Sequence, residues 1–278
     1  MWTVADALYA NFDNVSDHVE VDGQFINVLN PDQAVATVRS RLLSGFGFTF
    51  ATLNLDHLVK RRADPAFRAA YARATLVSAD GAPIVALGRA QAPSLRRVTG
   101  ADLLRPLCAM AEREGLPVAF FGSSQPALDG AAARLRAEFP ELRIVFAESP
   151  AFGFDPFSDA AAEAGARIVA SGAKLVFLCL GAPKQELFAD RLAQIYAGVG
   201  FIGVGAAVDF IVGAQKRAPR AMRRLGLEWL WRAASNPRRL AGRYAKCALL
   251  LARIVIEQRL LAVTAPRGVA RAGVSPAR

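Results

Sequence analysis

Short apolar runs alternate along most of this chain with longer segments in which apolar residues recur every three or four positions. The first pattern is typical of buried strands, and the second of helices that cover a sheet. Strands are predicted at residues 46–52, 75–78, 118–121, 143–147, 175–180 and 201–204. Helices are predicted at residues 35–43, 59–73, 102–114, 126–138, 160–171 and 184–197. The alternation predicts an α/β protein with a Rossmann-like, doubly wound and mostly parallel sheet.

Polar turns follow several of these strands, and three of the four contain glycine. They lie at residues 52–57, 78–81, 121–124 and 181–186. In an open parallel sheet the carboxyl ends of the strands lie along one edge, where α/β folds bind ligands. We therefore expect the turns to converge on one crevice, which is the candidate active site.

The net charge of +10 is concentrated in the last part of the chain. Residues 214–278 contain 15 Lys or Arg against two acidic residues, which leaves residues 1–213 with a net charge of −3. We therefore predict an α/β catalytic domain over residues 1–213 and an arginine-rich appendage over residues 214–278.

A helix is predicted from residue 237 to about residue 262 of this appendage. Its apolar face would contain Leu240, Tyr244, Cys247, Leu251 and Ile254. A basic stripe would run alongside with Arg239, Arg243, Lys246 and Arg253. A basic amphipathic helix suits an anionic membrane surface, so we expect peripheral association with the inner face of the cell membrane.

Composition excludes several other classes of protein. With 53% hydrophobic residues the chain can form a sizeable core, and its three cysteines are too few and too scattered for a disulfide framework or a zinc site. The first 20 residues do not resemble a secretory signal, and residues 195–214 are interrupted by Asp209 and glycines, so a cytoplasmic location is expected. The sequence contains no Asp-x-Asp pair, and neither a metal nor a cofactor is predicted.

Asp80 is the candidate general base. Its carboxylate follows a strand directly and could take a proton from an attacking hydroxyl. The alternative is that Asp80 caps a helix that begins near Pro83. Thr52 and Asn54 likewise either bind sugar hydroxyls or end a strand and cap a helix. For His57 we favour a structural role.

Two turns could hold phosphate on backbone N–H groups at a helix start. One begins at Gly122 and the other at Gly181, where Lys184 adds a charge and Gln185 a neutral donor and acceptor. An ordinary strand-to-helix loop explains either turn taken alone. Residues 198–203 match the dinucleotide-binding pattern G-x-G-x-x-G, but they precede a strand instead of following one, so this match is discounted.

Taken together, the motifs resemble the WecG/TagA/CpsF bacterial glycosyltransferases, glycosyltransferase family 26. The resemblance runs from about residue 46 to residue 243, and nine motifs occur in order. They are T-x-N-x-D-H at 52–57, D-G at 80–81, R-V-T-G-x-D at 97–102, F-G at 121–122, G-A-P-K-Q-E at 181–186, G-V-G at 203–205 with D-F at 209–210, K-R-A-P at 216–219, E-W at 228–229 with Arg232, and P-R at 237–238.

The resemblance implies inverting, metal-independent transfer of a sugar from a UDP-sugar to a polyprenyl-pyrophosphate-linked acceptor at the inner membrane face. It implies Asp80 as the catalytic base, with Thr52, Asn54 and Gln185 in the sugar pocket. Arginines of the appendage would bind pyrophosphate and close the site; their counterparts are Arg232, Arg238 and Arg243. The matched motifs add the binding candidates Arg97, Thr99, Asp102, Asp209, Arg217 and Glu228.

Ala79, Val208 and Trp231 depart from the pattern of the family, and tryptophan at the last of these positions weakens any hydrogen-bonding role there. Two other functions stay open from the sequence: a basic nucleic-acid-binding protein and an NAD(P)-dependent oxidoreductase. The amphipathic tail without a nucleic-acid-reading module disfavours nucleic acid. A homo-oligomer is possible.

Overall fold

The computed structural model describes residues 18–219, 221–222, 231 and 237–264. Its strands are β1 (Val19–Val21), β2 (Gln24–Ile26), β3 (Phe48–Leu53), β4 (Leu76–Ala79), β5 (Val118–Gly122), β6 (Ile144–Glu148), β7 (Leu175–Cys179) and β8 (Gly200–Gly203). Its helices are α1 (Pro31–Leu43), α2 (Leu55–Ala63), α3 (Pro65–Arg73), α4 (Ala82–Gly88), α5 (Gly100–Arg113), α6 (Gln125–Glu138), α7 (Asp159–Ala170), α8 (Lys184–Ala193), α9 (Ala207–Val212) and α10 (Pro237–Thr264).

Six strands form one parallel sheet in the order β4-β3-β8-β7-β5-β6. Helices cover both faces, so the predicted Rossmann-like α/β class is confirmed. The order is not that of the sequence, because the last strand, β8, inserts between β3 and β7. The carboxyl ends of β3, β4, β7 and β8 therefore become neighbours although they are up to about 150 residues apart along the chain.

The core lies on both faces of this sheet. Successive residues of a strand point to opposite faces, so Phe120 packs in one cluster and Phe121 in another. On the first face Phe120 stacks on Phe177 with ring centroids 5.0 Å apart. Strands buried on both sides are largely apolar, which explains why they are visible in the sequence as nearly continuous apolar runs.

The six predicted strands are all present, with ends that differ by a residue or two from the predicted ones. The single helix predicted over residues 59–73 is wrong: it is two helices, broken at Asp64 and Pro65. Proline cannot continue a helix, and the Asp64 side chain accepts hydrogen bonds from the backbone N–H groups of Ala66 and Phe67 to begin the next one. The β1–β2 hairpin and the short helix α9 were not predicted, because each is too short to show a period.

The predicted helix of the appendage is present as α10, and it packs against α2. Leu250 and Ile254 are buried in the same cluster as Leu58, and Cys247 is buried as well. The expectation that Cys247 and Ile254 face a membrane is therefore wrong, because this apolar face of α10 is covered by the α/β domain. No helix among the described residues is long and apolar enough to cross a bilayer.

Candidate active site

A cleft of about 390 Å³ opens over the carboxyl ends of β4, β3, β8 and β7. Three of the four predicted turns converge there, and the fourth, at residues 121–124, does not line the cleft. The predicted site residues that line the cleft are Thr52, Asn54, Asp80, Thr99, Gly181, Gln185, Arg217 and Arg243. The structure thus brings half of the sequence-predicted residues together.

The end of β3 supplies Thr52, and the turn after it supplies Asn54. Asn54 is the N-cap of α2, where its Oδ1 accepts a hydrogen bond of 3.0 Å from the backbone N–H of His57. The capping interpretation of Asn54 is therefore correct, and the same residue still lines the cleft. Asn54 thus fixes the direction in which α2 leaves the floor of the site.

His57 lies beneath this turn. Its Nδ1 is 2.6 Å from the Tyr71 hydroxyl, and burial lowers the pKa of the imidazole to about 3. Burial likewise raises the pKa of the Tyr71 hydroxyl well above its ordinary value. The two side chains form a neutral pair at neutral pH, so His57 and Tyr71 support the turn without carrying charge.

Asp80 directly follows β4 at the edge of the cleft and is half-buried. Its backbone N–H donates to the Leu53 carbonyl at 2.7 Å, which holds the ends of β4 and β3 side by side. The N-cap of the following helix is Gly81, whose φ of +102° is in the region that favours glycine. The capping position is thus occupied by Gly81 and does not account for the carboxylate of Asp80.

Gln185 is 5% exposed at the floor of the cleft. Its Oε1 accepts from the backbone N–H of Gly181 at 3.2 Å and from that of Gly205 at 3.1 Å. Its Nε2 donates to Glu186 Oε1 at 2.8 Å. The side chain therefore joins the turn after β7 to the turn after β8.

The start of α5 holds an ionic network at the opposite side of the cleft. Thr99 caps α5 by accepting from the Asp102 N–H, and Asp102 pairs with Arg217 at 2.7 Å and with Arg97 at 3.4 Å. The Arg217 guanidinium also lies 5.6 Å from the Phe210 ring centroid. Among the described residues, the buried Nε of Arg217 has no hydrogen-bond partner, although a buried donor normally has one.

Arg243 reaches the cleft from α10. Its Nε lies 2.9 Å from Asp56 Oδ1, and Asp56 also pairs with Lys60 one turn along α2. Asp56 was not singled out from the sequence, although it lies inside the motif at residues 52–57. Asp56 lies in the first turn of α2, and no local sequence pattern indicated a role for it. Only the packing of α10 on α2 shows that its partner is Arg243.

Five of the predicted residues that the structure describes lie outside the cleft lining, and three of them are Gly122, Lys184 and Asp209. A Cβ at Gly122 would come within 2.6 Å of the Cys179 backbone, and the next N–H, of Ser123, donates to the Cys179 carbonyl. Glycine is required there by close strand packing, and that N–H is already used. Asp209 accepts a hydrogen bond of 2.6 Å from the Ser123 hydroxyl.

Further predicted residues fall elsewhere. Arg97 and Asp102 do not line the cleft. Asp102 pairs with Arg217, which does line it, and Arg97 pairs with Asp102. Glu228, Arg232 and the Arg238 side chain lie outside the described residues. At Trp231, where a weakened hydrogen-bonding role was expected, Nε1 donates to the Lys216 carbonyl at 3.3 Å.

The glycines at residues 198–203 do not form a phosphate-binding turn. Gly200 and Gly203 lie within β8, and a Cβ at Gly200 would come 2.4 Å from the Phe48 ring. Close strand and side-chain packing accounts for them, and nothing in their position supports a dinucleotide site. Within residues 18–219 and the other described segments, no group of three or more His, Cys, Asp or Glu residues could hold a metal ion.

The fold and the cleft define a Rossmann-like α/β protein with its candidate site at the carboxyl edge of a parallel sheet. Within that class, the sequence profile described as "Glycosyl transferase WecG/TagA/CpsF family" matches residues 19–264. The chain belongs to this family, and it is accordingly a glycosyltransferase of cell-surface polysaccharide biosynthesis.

One solved structure matches part of this chain. It is the solute-binding protein of an ABC transporter from R. palustris in complex with 4-hydroxybenzoate, with 17% sequence identity and a TM-score of 0.28. The match covers 68% of this chain, and this chain spans about half (52%) of that one.

Glu186, buried next to Gln185, makes stability depend on pH. Burial raises the pKa of its carboxyl from 4.5 to about 7, whereas the hydrogen bond from Gln185 acts in the opposite direction. Between these pH values the unfolded chain releases the proton and the folded chain keeps it, so the wild type loses stability as pH rises from about 4.5 to about 7.

We expect Glu186→Gln to remove this dependence. Relative to the wild type, its free energy of unfolding should rise by on the order of 2–3 kcal/mol between pH 4.5 and pH 8, measured by urea denaturation. A difference between the two proteins that stays constant over this pH range would contradict the prediction.

Proposed function

We propose that this enzyme transfers a sugar from a UDP-sugar to a polyprenyl-pyrophosphate-linked sugar acceptor, with inversion and without a metal ion. The observation that carries the proposal is the cleft itself, which combines one strand-end carboxylate, neutral polar groups and two arginines. These are the groups needed to deprotonate a hydroxyl, to orient sugars and to receive a diphosphate.

Asp80 is the proposed base. It lines the cleft and is half-buried, so an acceptor hydroxyl can approach it. In the proposed step Asp80 takes the proton of the acceptor hydroxyl while that oxygen forms a bond to the anomeric carbon. The bond from the anomeric carbon to the UDP oxygen breaks, and the electron pair leaves with UDP. A single displacement of this kind inverts the anomeric carbon.

Arg217 and Arg243 are the proposed diphosphate ligands. Two backbone turns, at Gly181 and Gly205, flank the same space. The unpartnered Nε of Arg217 would gain an acceptor when a phosphate oxygen binds. Arginine side chains can supply the positive charge that a metal provides elsewhere, which agrees with the absence of an Asp-x-Asp pair from the sequence.

The proposed lipid-linked acceptor requires the enzyme to lie at a membrane surface. Besides its buried face, α10 has an exposed apolar face that could contact lipid. Leu249, Ile256 and Leu260 are 57–73% exposed and recur at helical spacing, on the side opposite the buried Cys247 and Ile254. Lys246, Arg253 and Arg259 are exposed beside them. We propose that this face, and not the one predicted from the sequence, lies on the anionic inner leaflet.

A double variant tests this face. We expect Leu249→Glu/Ile256→Glu to lose at least about tenfold in vesicle binding, since each large apolar side chain contributes about 1.5–3 kcal/mol on burial. Flotation with phosphatidylcholine vesicles that contain phosphatidylglycerol measures the loss, and Leu43→Glu/Ile195→Glu, also at exposed apolar positions, is the matched control. Equal flotation of both variants, or retention on DNA in preference to vesicles at the same salt concentration, would contradict the proposal.

The reaction is tested by incubating the full chain with a panel of UDP-sugars and lipid-linked mono- and oligosaccharide acceptors. Release of UDP together with a heavier lipid-linked product is expected, and EDTA should leave the rate unchanged. A nicotinamide nucleotide that raises the melting temperature more than UDP does would favour the oxidoreductase alternative.

A further inference from the structure

Glu186 is a buried carboxyl that the proposed reaction does not use. It is 7% exposed and does not line the cleft. Among the described residues its Oε2 has no hydrogen-bond partner, and burial already raises the pKa of the group. Burying such a group costs stability, which suggests a functional role for its hydrogen bond with Gln185.

The orientation of the Gln185 amide depends on that contact. Its Oε1 faces two donors, the N–H groups of Gly181 and Gly205, and its Nε2 faces an acceptor, Glu186 Oε1. If the amide were reversed, an NH₂ group would face two N–H donors and a carbonyl oxygen would face a carboxyl oxygen. The Glu186 acceptor thus reinforces the one orientation in which both turns are bound.

The two turns joined in this way are both part of the cleft. Gly181 follows β7 and Gly205 follows β8, and each lines the cleft that we assign to the UDP-sugar. The neighbouring strand leaves room for the link only because Gly203 has no side chain: a Cβ there would come 2.6 Å from Gln185 Nε2. The Gln185 side chain therefore depends on contacts or space at four other positions, which are 181, 186, 203 and 205.

We propose that Glu186 is a positioning residue for glycosyl transfer, which fixes the Gln185 amide and thereby holds the Gly181 and Gly205 turns in the geometry that binds the donor. The inference rests on the proposed function. Small displacements of groups that position a substrate can cost up to about 100-fold in rate, so the link is expected to matter for catalysis.

The kinetic test compares variants that keep or break the link. Glu186→Leu should lower kcat/KM for the UDP-sugar about 10- to 100-fold, whereas Glu186→Gln, which retains an acceptor oxygen, should stay within about threefold of the wild type. Gly203→Ala displaces the amide and leaves Glu186 in place, so it should show the same loss as Glu186→Leu. Asp190→Asn, one turn along α8 at a carboxylate paired with Arg73, is the matched control and should match the wild type.

Hydrogen exchange of the unliganded protein tests the link independently of any substrate. Peptides that contain Gly181 and Gly205 should exchange faster in Glu186→Leu and Gly203→Ala than in the wild type, while a β5 peptide stays unchanged. Unchanged exchange in both variants would overturn the proposal, as would faster exchange with unaltered kcat/KM. A wild type that transfers no sugar, combined with the expected exchange difference, would contradict the proposed function and leave the link itself established.

Discussion

Asp80→Asn is expected to lower kcat for sugar transfer by about 10²–10⁴-fold, the usual contribution of a general base. Asparagine has nearly the same shape, so the residue still fits at the end of β4, but its amide cannot take a proton. The Kd for UDP should change little, because the proposed diphosphate ligands, Arg217 and Arg243, are untouched. Steady-state kinetics and calorimetric titration with UDP measure the two quantities on the same preparation.

Asp129→Asn is a suitable control for this prediction, since Asp129 is an exposed carboxylate of α6 that does not line the cleft. It should retain wild-type kinetics. Turnover of Asp80→Asn close to that of the wild type would show that Asp80 is not the base. A large loss of UDP affinity together with kcat would instead assign Asp80 to donor binding.

Arg217→Ala is expected to raise the KM for the UDP-sugar by about 10- to 100-fold, since a hydrogen bond to a charged group contributes roughly 1.5–3 kcal/mol. The arginine lines the cleft, is 2.7 Å from Asp102, and has a buried Nε without a partner among the described residues. The variant also leaves the carboxylate of Asp102 beside the diphosphate with less compensating charge, which opposes donor binding further.

Two further variants separate these effects. Arg105→Ala, which removes a surface arginine paired with Glu138, should keep the wild-type KM. The double variant Arg217→Ala/Asp102→Asn removes the uncompensated charge, so its KM should lie between that of Arg217→Ala and that of the wild type. An unchanged KM in Arg217→Ala would place the diphosphate elsewhere in the cleft.

The strands and most helices could be predicted because local periodicity reports burial. A strand covered on both faces is largely apolar, and a covering helix shows one apolar stripe. The failures have equally local causes: the break at Asp64 and Pro65 interrupts a period that otherwise continues, and α9 has too few residues to show one. The face of α10 was assigned wrongly because an apolar stripe does not indicate whether protein or lipid covers it.

The amino-acid sequence by itself determined the α/β class, the family and the positions of polar groups at or shortly after the strand ends, among them Thr52, Asp80 and Gln185. Only the tertiary structure decided which of these groups meet. Inserting β8 between β3 and β7 brought the Gly205 turn to Gln185, and the packing of α10 on α2 brought Arg243 to Asp56. Such contacts join residues far apart in the chain, and they depend on strand order and helix packing, which local patterns of polarity do not encode.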